Sequence, residues 1–375
     1  MSEIKSSIQE IAVEIIKDFN RFLSIEKECT IFLKENNIEN PYVTHAWLKS
    51  WWRGYGENKE LFIICFWKNN TLIGFAPLMK YGLKFLGLPI KILGFISNHW
   101  VEQDIIITSE YREICLQMLK TTFLKEKNMI ILSYFSESSQ TFSALCTLMS
   151  GNNVNIKIRK MAAPYLALNE SWQQYLKSRS YRFRSEYNKK KKGLESQGAC
   201  QLMRSHRSSD LITVLKEIEG IIQNSWQGKK DVAILVSPQG RLFYQNLIDA
   251  WGGSGYIDIS ILRLNNKAIA YLVGFIIHKC FYVFDTGYDD QYRDMSPGMV
   301  IHNMLLEELH SDDIREFDFG YMADYKKRWT EDARVILDLL IFNNGPLGES
   351  LWRIQQFKEI IQERFIKKNN EKSKN

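Results

Sequence analysis

The chain has 375 residues, of which 45% are hydrophobic and 25% charged, so it can bury one large core or two ordinary ones. Its longest apolar runs, such as 268–277, are too short to span a bilayer, and no apolar stretch follows a basic N-terminal segment. We therefore expect neither a transmembrane segment nor an export signal, and we expect a cytoplasmic protein.

The cysteines and histidines show no pattern of a disulfide framework or a metal site. The six cysteines are scattered without Cys-x-x-Cys spacing, and His302 and His310 lie on one predicted helix without a partner at metal-site spacing. We expect reduced, buried thiols and no metal. Glycine-rich phosphate loops and the nucleophile elbow of other enzyme classes are also missing from the sequence.

The N-terminal part of the chain predicts helices and then a strand-turn-strand unit. Residues 4–36 place apolar side chains at helical spacing, which predicts one or two amphipathic helices. Two apolar runs, 61–67 and 72–79, flank Asn69 and Asn70, a pair that can take the positive φ angles of a tight hairpin turn. The elements predicted to follow are a strand, a helix and a strand, at 105–107, 111–123 and 129–134.

A crossover beginning at residue 161 leads into further predicted helices. Asn169 or Ser171 is placed to cap the first, and the second is expected to end near Gly193 or Gly198. These helices connect the two halves of the chain.

The second of these helices carries a concentrated positive charge. Residues 177–193 contain eight Lys and Arg residues against Glu186 alone, whereas the whole chain has a net charge of +6. Such a segment, Lys177 to Lys192, indicates an anionic partner, which could be tRNA or a membrane surface. A solvated helix face would have the same composition.

A helix predicted around 211–222 ends in Ser225-Trp226-Gln227-Gly228. Trp226 is either a core tryptophan that closes this helix or a side chain that contacts substrate. The sequence leaves both interpretations open.

The pattern from Ile257 to Trp329 predicts a hairpin, a third strand, a turn, a helix and a fourth strand. The hairpin strands are 259–264 and 268–277, joined by Asn265-Asn266, and the third strand is 281–288. The fourth strand is expected at Phe317-Asp318-Phe319-Gly320.

The turn between the third strand and its helix reads Arg293-Asp-Met-Ser-Pro-Gly298. Ser296 is a natural N-cap residue, and Pro297 suits the first helical position, so free backbone N–H groups are expected where the helix begins. Backbone N–H groups at a helix N-terminus bind anions. The sequence therefore predicts an anion site here.

The two hairpins point to an internal duplication. The segment CFWKNNTLIGFAPL, from Cys65, aligns without a gap with ILRLNNKAIAYLVG, from Ile261, at an offset of 196 residues, and strand, helix and strand follow each. A chance recurrence of Asn-Asn hairpins is the alternative. The first half has Thr108-Ser109-Glu110-Tyr111 before its helix, without glycine and with an acidic residue, so we expect it to shape the acceptor site or the scaffold rather than bind a phosphate.

The order of hairpin, strand, Arg-containing turn, helix and strand resembles the acetyl-CoA-binding half of the GNAT N-acyltransferase superfamily. In that superfamily the pyrophosphate of CoA rests on a turn usually written Arg/Gln-x-x-Gly-x-Gly/Ala, and this chain has Ser296 where the first Gly is usual. With the Phe317–Gly320 strand and the Tyr325-Lys326 step, the closer resemblance is to the acetyltransferase-like domain of CelD-type cellulose-biosynthesis proteins. Those proteins are relatives of Fem-type peptidyltransferases.

This resemblance implies an α/β (α+β) fold of tandem GNAT-like domains, each a mixed, mostly antiparallel sheet flanked by helices. It divides the chain into a degenerate domain at 1–160 that includes the helical N-terminus, an acyltransferase domain at 161–345, and a helix with a basic tail at 346–375. It also implies acetyl-CoA or another acyl-CoA as co-substrate. The residues that it assigns to CoA binding are Arg293, Ser296, Gly298 and Met299.

Acyl transfer from a thioester to an amine needs a base for the amine, a donor for the carbonyl oxygen and a proton for the leaving thiolate. The resemblance places four residues where the third and fourth strands diverge, namely Asp285, Tyr288, Asp318 and Tyr321. An aspartate flanked by apolar residues is a candidate base because burial raises its pKa, but it could equally be a structural ion-pair partner. Lys326 and Trp226 are candidates for substrate binding.

The sequence therefore predicts an N-acyltransferase that moves an acyl group from acyl-CoA to an amine, and the candidate acceptor is an amino sugar or another cell-envelope or exopolysaccharide precursor. A Fem-type transferase that uses aminoacyl-tRNA is the alternative enzyme, which the basic helix favours. A non-catalytic binding module with the GNAT fold is the alternative outside enzymes.

Overall fold

A computed structural model describes residues 11–85, 87–97, 101–126, 129–150, 154–206, 208–230, 233–320 and 324–358. The strands are β1 Ile11–Ile16, β2 Glu60–Leu61, β3 Ile63–Lys68, β4 Thr71–Ala76, β5 Leu78–Phe85, β6 Leu88–Phe95, β7 Ile106–Ile107, β8 Met129–Ser136, β9 Asn155–Ala167, β10 Cys200–Ser205, β11 Ile257–Leu264, β12 Lys267–Ile277, β13 Cys280–Tyr288, β14 Glu316–Asp318 and β15 Ala333–Phe342. The helices are α1 Phe19–Ser24, α2 Glu26–Glu35, α3 His45–Tyr55, α4 Arg112–Lys125, α5 Gln140–Met149, α6 Trp172–Ser178, α7 Tyr181–Glu195, α8 Ser208–Gln223, α9 Trp226–Lys229, α10 Pro238–Trp251 and α11 Pro297–Leu309. Residues 346–358 are also helical.

The strands form two sheets flanked by helices, as the fold class predicted. The smaller sheet has the order β1-β3-β4-β7, and the larger has eleven strands in the order β10-β11-β12-β13-β14-β9-β15-β8-β6-β5-β2. Most described pairs are antiparallel, and the parallel ones are β6 with β8 and β13 with β14. In the described part of the chain, no helix is long and apolar enough to cross a membrane.

The duplication extends to a backbone irregularity that the sequence does not display. Both turns have the positive φ angles expected of them, 48° and 62° at Asn69 and Asn70, and 49° and 65° at Asn265 and Asn266. Each hairpin also shifts register at the same point, between Phe66 and Trp67 in β3 and between Leu262 and Arg263 in β11. These bulges are 196 residues apart, as the turns are.

The order of elements around the hairpins is repeated as well. In each half an edge strand pairs antiparallel with the first hairpin strand, β1 with β3 and β10 with β11. Along the chain, helices separate the two strands of each pair. A third strand, a helix and another strand follow each hairpin; the third strand is short in the first half, β7, and long in the second, β13. The fold is therefore a tandem arrangement of two similar α/β units.

Two predicted elements of the first half were wrong in detail. Residues 11–16 of the predicted N-terminal helix form β1, because Ile11 and Ile16 are buried and the β-branched run pairs with β3; helix follows only from residue 19, and 4–10 lie outside the described residues. The predicted strand 72–79 breaks at Pro77, which cannot donate a ladder hydrogen bond. The chain passes there from β4 in the small sheet to β5 in the large one.

The two units share strands and a helix interface. β15 pairs with β8 of the first unit and with β9, and β9 also pairs with β14, so the large sheet runs through both units. The expected boundary at residues 160 and 161 lies inside β9. On the helical side α3 packs against α10, where the Trp47 and Trp251 rings stack with centroids 6.1 Å apart. Residues from both units consequently border any site near this junction.

Candidate functional site

The strands that follow the second hairpin separate at a defined point. β13 and β14 pair in parallel only from Cys280 opposite Glu316 to Tyr282 opposite Asp318. Beyond Tyr282, β13 continues to Tyr288 while the chain after Asp318 turns away through Gly320, whose φ is 68°. This places unpaired backbone of β13 beside an opening in the sheet.

The turn before α11 has the backbone of an anion site, although its cap differs from the prediction. Ser296 adopts the left-handed conformation, with φ 48° and ψ 56°, and its side chain makes no capping hydrogen bond. A left-handed backbone is the conformation that glycine adopts most readily, so this position favours glycine. The serine hydroxyl does not act as a cap here. In the described part of the chain, the N–H of Gly298 has no hydrogen-bond acceptor, so it is available to a ligand.

A cleft of about 400 Å³ lies between this turn and the end of β13. Six of the residues that the sequence analysis singled out line it, namely Trp226, Tyr288, Arg293, Ser296, Gly298 and Met299. Trp226 is 40% exposed, so the interpretation as a core tryptophan was wrong. Arg293 is exposed, and the nearby Tyr288 hydroxyl raises the pKa of Arg293. The cleft therefore has a cation and a free N–H at one end.

The cleft wall also contains buried polar atoms without partners. Among the described residues, the Gln227 amide oxygen Oε1 and the Trp329 indole Nε1 are buried and make no hydrogen bond. The Gln227 amide nitrogen donates to the carbonyl of Thr286 at 3.1 Å, which fixes the orientation of this side chain. Buried polar groups without hydrogen bonds cost free energy of folding. The Gln227 oxygen can accept and the Trp329 indole can donate a hydrogen bond to a ligand with amide groups.

His302 lies in the same cleft, and sequence reasoning missed it. Its Nδ1 donates to the carbonyl of Gly298 at 2.7 Å, since a carbonyl can only accept, and this leaves Nε2 as the unprotonated nitrogen. Burial lowers the pKa of His302 to about 4, so the ring is neutral at pH 7. Its spacing of four residues after Gly298, one helical turn, was the available signal.

Lys326 lies next to the cleft in a desolvated position. Its ammonium donates to the carbonyl of Phe319 at 2.6 Å, and burial lowers its pKa to about 8 despite the attraction of Asp318. Lys326 is therefore a cation that can also give up a proton near neutral pH. Tyr321, the other predicted residue of this loop, lies outside the described residues.

The two candidate bases lie in different environments. Asp318 borders a smaller cavity at the strand opening, where its carboxylate accepts from the Gly320 N–H at 2.6 Å and from Arg334 at 2.9 Å. Burial raises the pKa of Asp318. Asp285 lines neither this cavity nor the cleft, and it accepts from the hydroxyls of Tyr244 and Tyr271 at 3.3 and 3.4 Å.

Burial raises the pKa of Asp285 to about 6. The sequence placed both aspartates beside apolar residues, and only the fold separates the one at the opening from the one enclosed by tyrosines.

The basic helix α7 borders the turn before α11. Lys190 donates to the Asp294 carbonyl, and Glu186 pairs with Arg328 of the cleft wall at 3.7 Å. Phe183 and Tyr187 are buried on the inner face. The outer face is solvent-exposed and consists of Tyr181, Arg182, Ser185, Asn188, Lys189, Lys192 and Glu195. The basic run is thus partly used by the cleft and partly free for a larger anion.

Comparison with known proteins gives one family match. Residues 181–328 match the family described as an acetyltransferase (GNAT) domain, a segment that includes α7, the hairpin, the anion turn and Lys326. This match identifies the protein as a transferase, and a GNAT domain in general implies an acyl-CoA co-substrate. No curated protein sequence matches the chain.

Several solved structures share the fold at low identity. The crystal structure of FemX is 12% identical with a TM-score of 0.55, and the alignment covers 88% of this chain and 98% of that one. The structure of L-PGS from Bacillus licheniformis is 10% identical with a TM-score of 0.54, covering 88% and 96%. The C-terminal domain of a putative lysylphosphatidylglycerol synthetase from Agrobacterium fabrum is 9% identical with a TM-score of 0.53, covering 89% and 95%.

These likenesses show the fold over most of each chain. Similarity to the CelD-type family in particular is not among these findings.

Proposed function

We propose that the protein is an N-acyltransferase that moves an acyl group, acetyl foremost, from acyl-CoA to an amine. The observation that carries this proposal is the cleft at the start of α11, where a left-handed Ser296, the free N–H of Gly298 and Arg293 meet. Phosphate groups fit such a helix start because its N–H groups and dipole favour negative charge. The unpartnered Gln227 and Trp329 atoms suit the two amides of the pantetheine arm.

The thioester would then lie at the opening between β13 and β14, with the acceptor amine next to it. Lys326 is placed to protonate the leaving thiolate, because burial brings its pKa to about 8. Tyr288 and Tyr321 remain alternative proton donors in this proposal. Asp318 is the predicted aspartate that borders the opening, whereas Asp285 would act through the strand that it supports.

The finer parts of the proposal follow the sequence resemblance. We place the protein with the CelD-type branch and take its acceptor to be an amino sugar or another cell-envelope precursor, handled in the cytoplasm. The division into units at 1–160 and 161–345, with a basic tail at 346–375, belongs to the same proposal. The first unit would shape the acceptor site.

A coupled assay tests this function. Purified protein is incubated with acetyl-CoA and a panel of amines that includes glucosamine, and the free thiol of CoA is measured beside the amide by mass spectrometry. The proposal predicts thiol release that depends on the amine and matches amide formation. Absence of amide with every acyl-CoA and amine, together with absence of acyl-CoA binding, would contradict it.

A Fem-type reaction with aminoacyl-tRNA is the second candidate, and the exposed outer face of α7 favours it. That face presents Arg182, Lys189 and Lys192 next to Tyr181, which is 78% exposed. Phosphate contacts release counterions, so tRNA binding would weaken with salt by a log-log slope of about 0.7 to 0.9 per phosphate neutralised.

The exposed lysines separate the two donors. Under the acyl-CoA proposal, replacing Lys189 and Lys192 with Gln leaves acetyl transfer to a small amine nearly unchanged. Tight tRNA binding at physiological salt that is lost in this double variant would favour the aminoacyl-tRNA donor instead.

A further inference from the structure

A second cavity borders β13 where this strand separates from β14. It has a volume of about 50 Å³ and is bordered by Tyr282 and Asp318 of the second unit and by Tyr42 and Glu102 of the first. Tyr282 packs with the core of the first-unit helices, whereas Tyr288 of the cleft packs with the core around α11. The cavity borders β13 at Tyr282 and Val283 and the cleft borders it from Thr286 to Tyr288, so both lie along this strand beside the opening.

The charges around this cavity are unbalanced. Arg334 pairs with both Glu316 and Asp318, and Lys326 also attracts Asp318, so Glu102 adds a third carboxylate to two cations. In the described part of the chain, the Glu102 carboxylate accepts no hydrogen bond; only its backbone carbonyl does, from Asn40 at 3.2 Å. The excess of carboxylates over cations therefore favours binding of a further cation, and the Glu102 carboxylate is available to bind it.

The size of the cavity matches the end of an amine substrate. A group the size of a water molecule needs roughly 10–15 Å³ of cavity volume. A cavity of about 50 Å³ therefore admits an ammonium group and the carbon that bears it. The phenol rings of Tyr42 and Tyr282, with centroids 5.8 Å apart, line the same space, and aromatic rings attract cations.

We propose that Glu102, from the first unit, binds the ammonium of the acceptor in this cavity and takes its proton. This inference deepens the proposed acyl transfer and rests on it. It makes the first unit part of the active site, since the base comes from one unit and the acyl donor from the other. Asp318 is a positioning residue in this scheme, because Gly320 and Arg334 hold its carboxylate.

The step balances without a further reactant. Glu102 accepts one proton from the ammonium, and the lone pair of the neutral amine forms a bond to the thioester carbonyl carbon. The C–S bond then breaks with its electron pair on sulfur, Lys326 gives a proton to the thiolate, and the second proton of the nitrogen passes to Lys326. The products are the amide, CoA and a protonated Glu102, which releases its proton to solvent.

The groups that face Glu102 suit this role. Burial foremost, and then the nearby carboxylates of Asp318, Asp104 and Glu316, raise the pKa of Glu102 to about 7 against the opposing effect of Arg334. The phenols of Tyr42 and Tyr282 stay protonated because burial raises both of their pKa values. Glu102 therefore titrates near neutral pH, where a base for an amine is effective.

Two amines of different basicity test the role of Glu102. Ethylamine is protonated at neutral pH and needs a base, whereas hydroxylamine is largely unprotonated and does not. The wild type, Glu102→Gln and the exposed control Glu110→Gln are assayed with acetyl-CoA and each amine. We expect Glu102→Gln to lower kcat/KM for ethylamine about 100-fold, to leave hydroxylamine and donor KM nearly unchanged, and to remove the limb of the pH profile near 7.

Other outcomes separate the two claims. Equal losses for both amines, or no loss for either, would overturn the role of Glu102 while leaving acyl transfer intact. A wild type that releases no CoA with either amine would count against the proposed function itself. If Glu102→Gln does not fold, Glu102→Asp serves instead. We expect Glu102→Asp to keep the limb of the pH profile near 7 and to have a lower rate with ethylamine. An unchanged rate with ethylamine together with loss of this limb would overturn the inference.

Discussion

The two units of this protein share a hairpin but not the turn that follows their third strand. In both, the Asn-Asn turn and the register shift recur at an offset of 196 residues. The second unit then has a left-handed Ser296 and a 13-residue helix with a free N–H at Gly298. The first unit has a 3₁₀ turn, Ser109–Tyr111, without a side-chain cap, and carries Glu110 in that turn.

This contrast separates what the fold needs from what the donor site needs. The hairpin and its bulge shape the strands that carry the core, so they persist in both units. An anion site requires a backbone in which N–H groups point outward and cations lie near, and acidic residues at the helix start oppose it. The first unit has kept the strands and not the turn that we propose as the anion site.

The parallel strand pair differs between the units as well. In the second unit, the strand after the helix, β14, pairs with the third strand, β13, and then separates from it. In the first unit the corresponding strand, β8, pairs in parallel with β6 of an inserted hairpin, and β7 has only two residues. In the described residues, the opening beside the third strand is thus a property of the second unit.

The activity of the second unit should be most sensitive to substitution of Lys326, which has a neighbour suited as its control. We expect Lys326→Met to lower kcat about 100-fold or more, because it removes the buried cation beside the opening. Lys327 is exposed and pairs with Asp324 at 2.9 Å, so Lys327→Met should leave kcat unchanged. Steady-state kinetics with acetyl-CoA measures both, and equal effects would assign Lys326 no special role.

Acid should destabilise the second unit through His302. The folded pKa of His302 is about 4 and the usual value is 6.5, so the unfolded chain binds the extra proton between these values. The stability from the neutral ring is fully present above pH 6.5 and is lost as the pH falls toward 4, by about 2 to 3 kcal/mol.

Denaturant unfolding of the wild type and of His302→Gln at several pH values checks this expectation. The variant should have a flatter pH dependence, whereas His278→Gln, at an exposed histidine, should retain the wild-type slope. Parallel curves for the wild type and His302→Gln would disprove it.

The two hairpin turns should differ in their sensitivity to substitution. The side chain of Asn265 accepts from the Ala199 N–H at 3.0 Å and donates to the Gln197 carbonyl at 2.9 Å, which attaches the turn to the start of β10. Asn265→Ala should cost about 2 kcal/mol, and Asn69→Ala about 1 kcal/mol from the left-handed backbone alone. Urea unfolding compares the two, and a larger loss at Asn69 would reverse the expected order.

Local patterns predicted much of the second unit. The hairpin strands, the third strand and α11 were found at the expected residues because period-2 apolar runs and an Asn-Asn turn depend on near neighbours. At the start of α11, Pro297 lies in the first turn and Ser296 at the N-cap, as predicted, although no capping hydrogen bond comes from the side chain of Ser296. The left-handed backbone of Ser296 depends on the 3₁₀ turn that precedes it, and a serine in the sequence does not indicate this conformation.

Features that depend on distant contacts could not be predicted. The strand β1 forms because β3 offers it an edge, and its apolar spacing also fits a helix. Asp285 and Asp318 have similar sequence surroundings, and only the sheet decides which one borders the opening. Glu102 belongs to the other unit, so no pattern near the anion turn could indicate it.

The central claim is that the second unit alone holds the acyl donor, on the turn from Arg293 to Gly298. Titration calorimetry with acetyl-CoA tests it in the wild type, in Gly298→Val and in Ser109→Val, the matched change on the first-unit turn. We predict one site per chain, an affinity lowered by about 1 to 3 kcal/mol in Gly298→Val because the side chain crowds the ligand's place, and no change in Ser109→Val. Two sites, or an affinity unchanged in folded Gly298→Val, would contradict the claim.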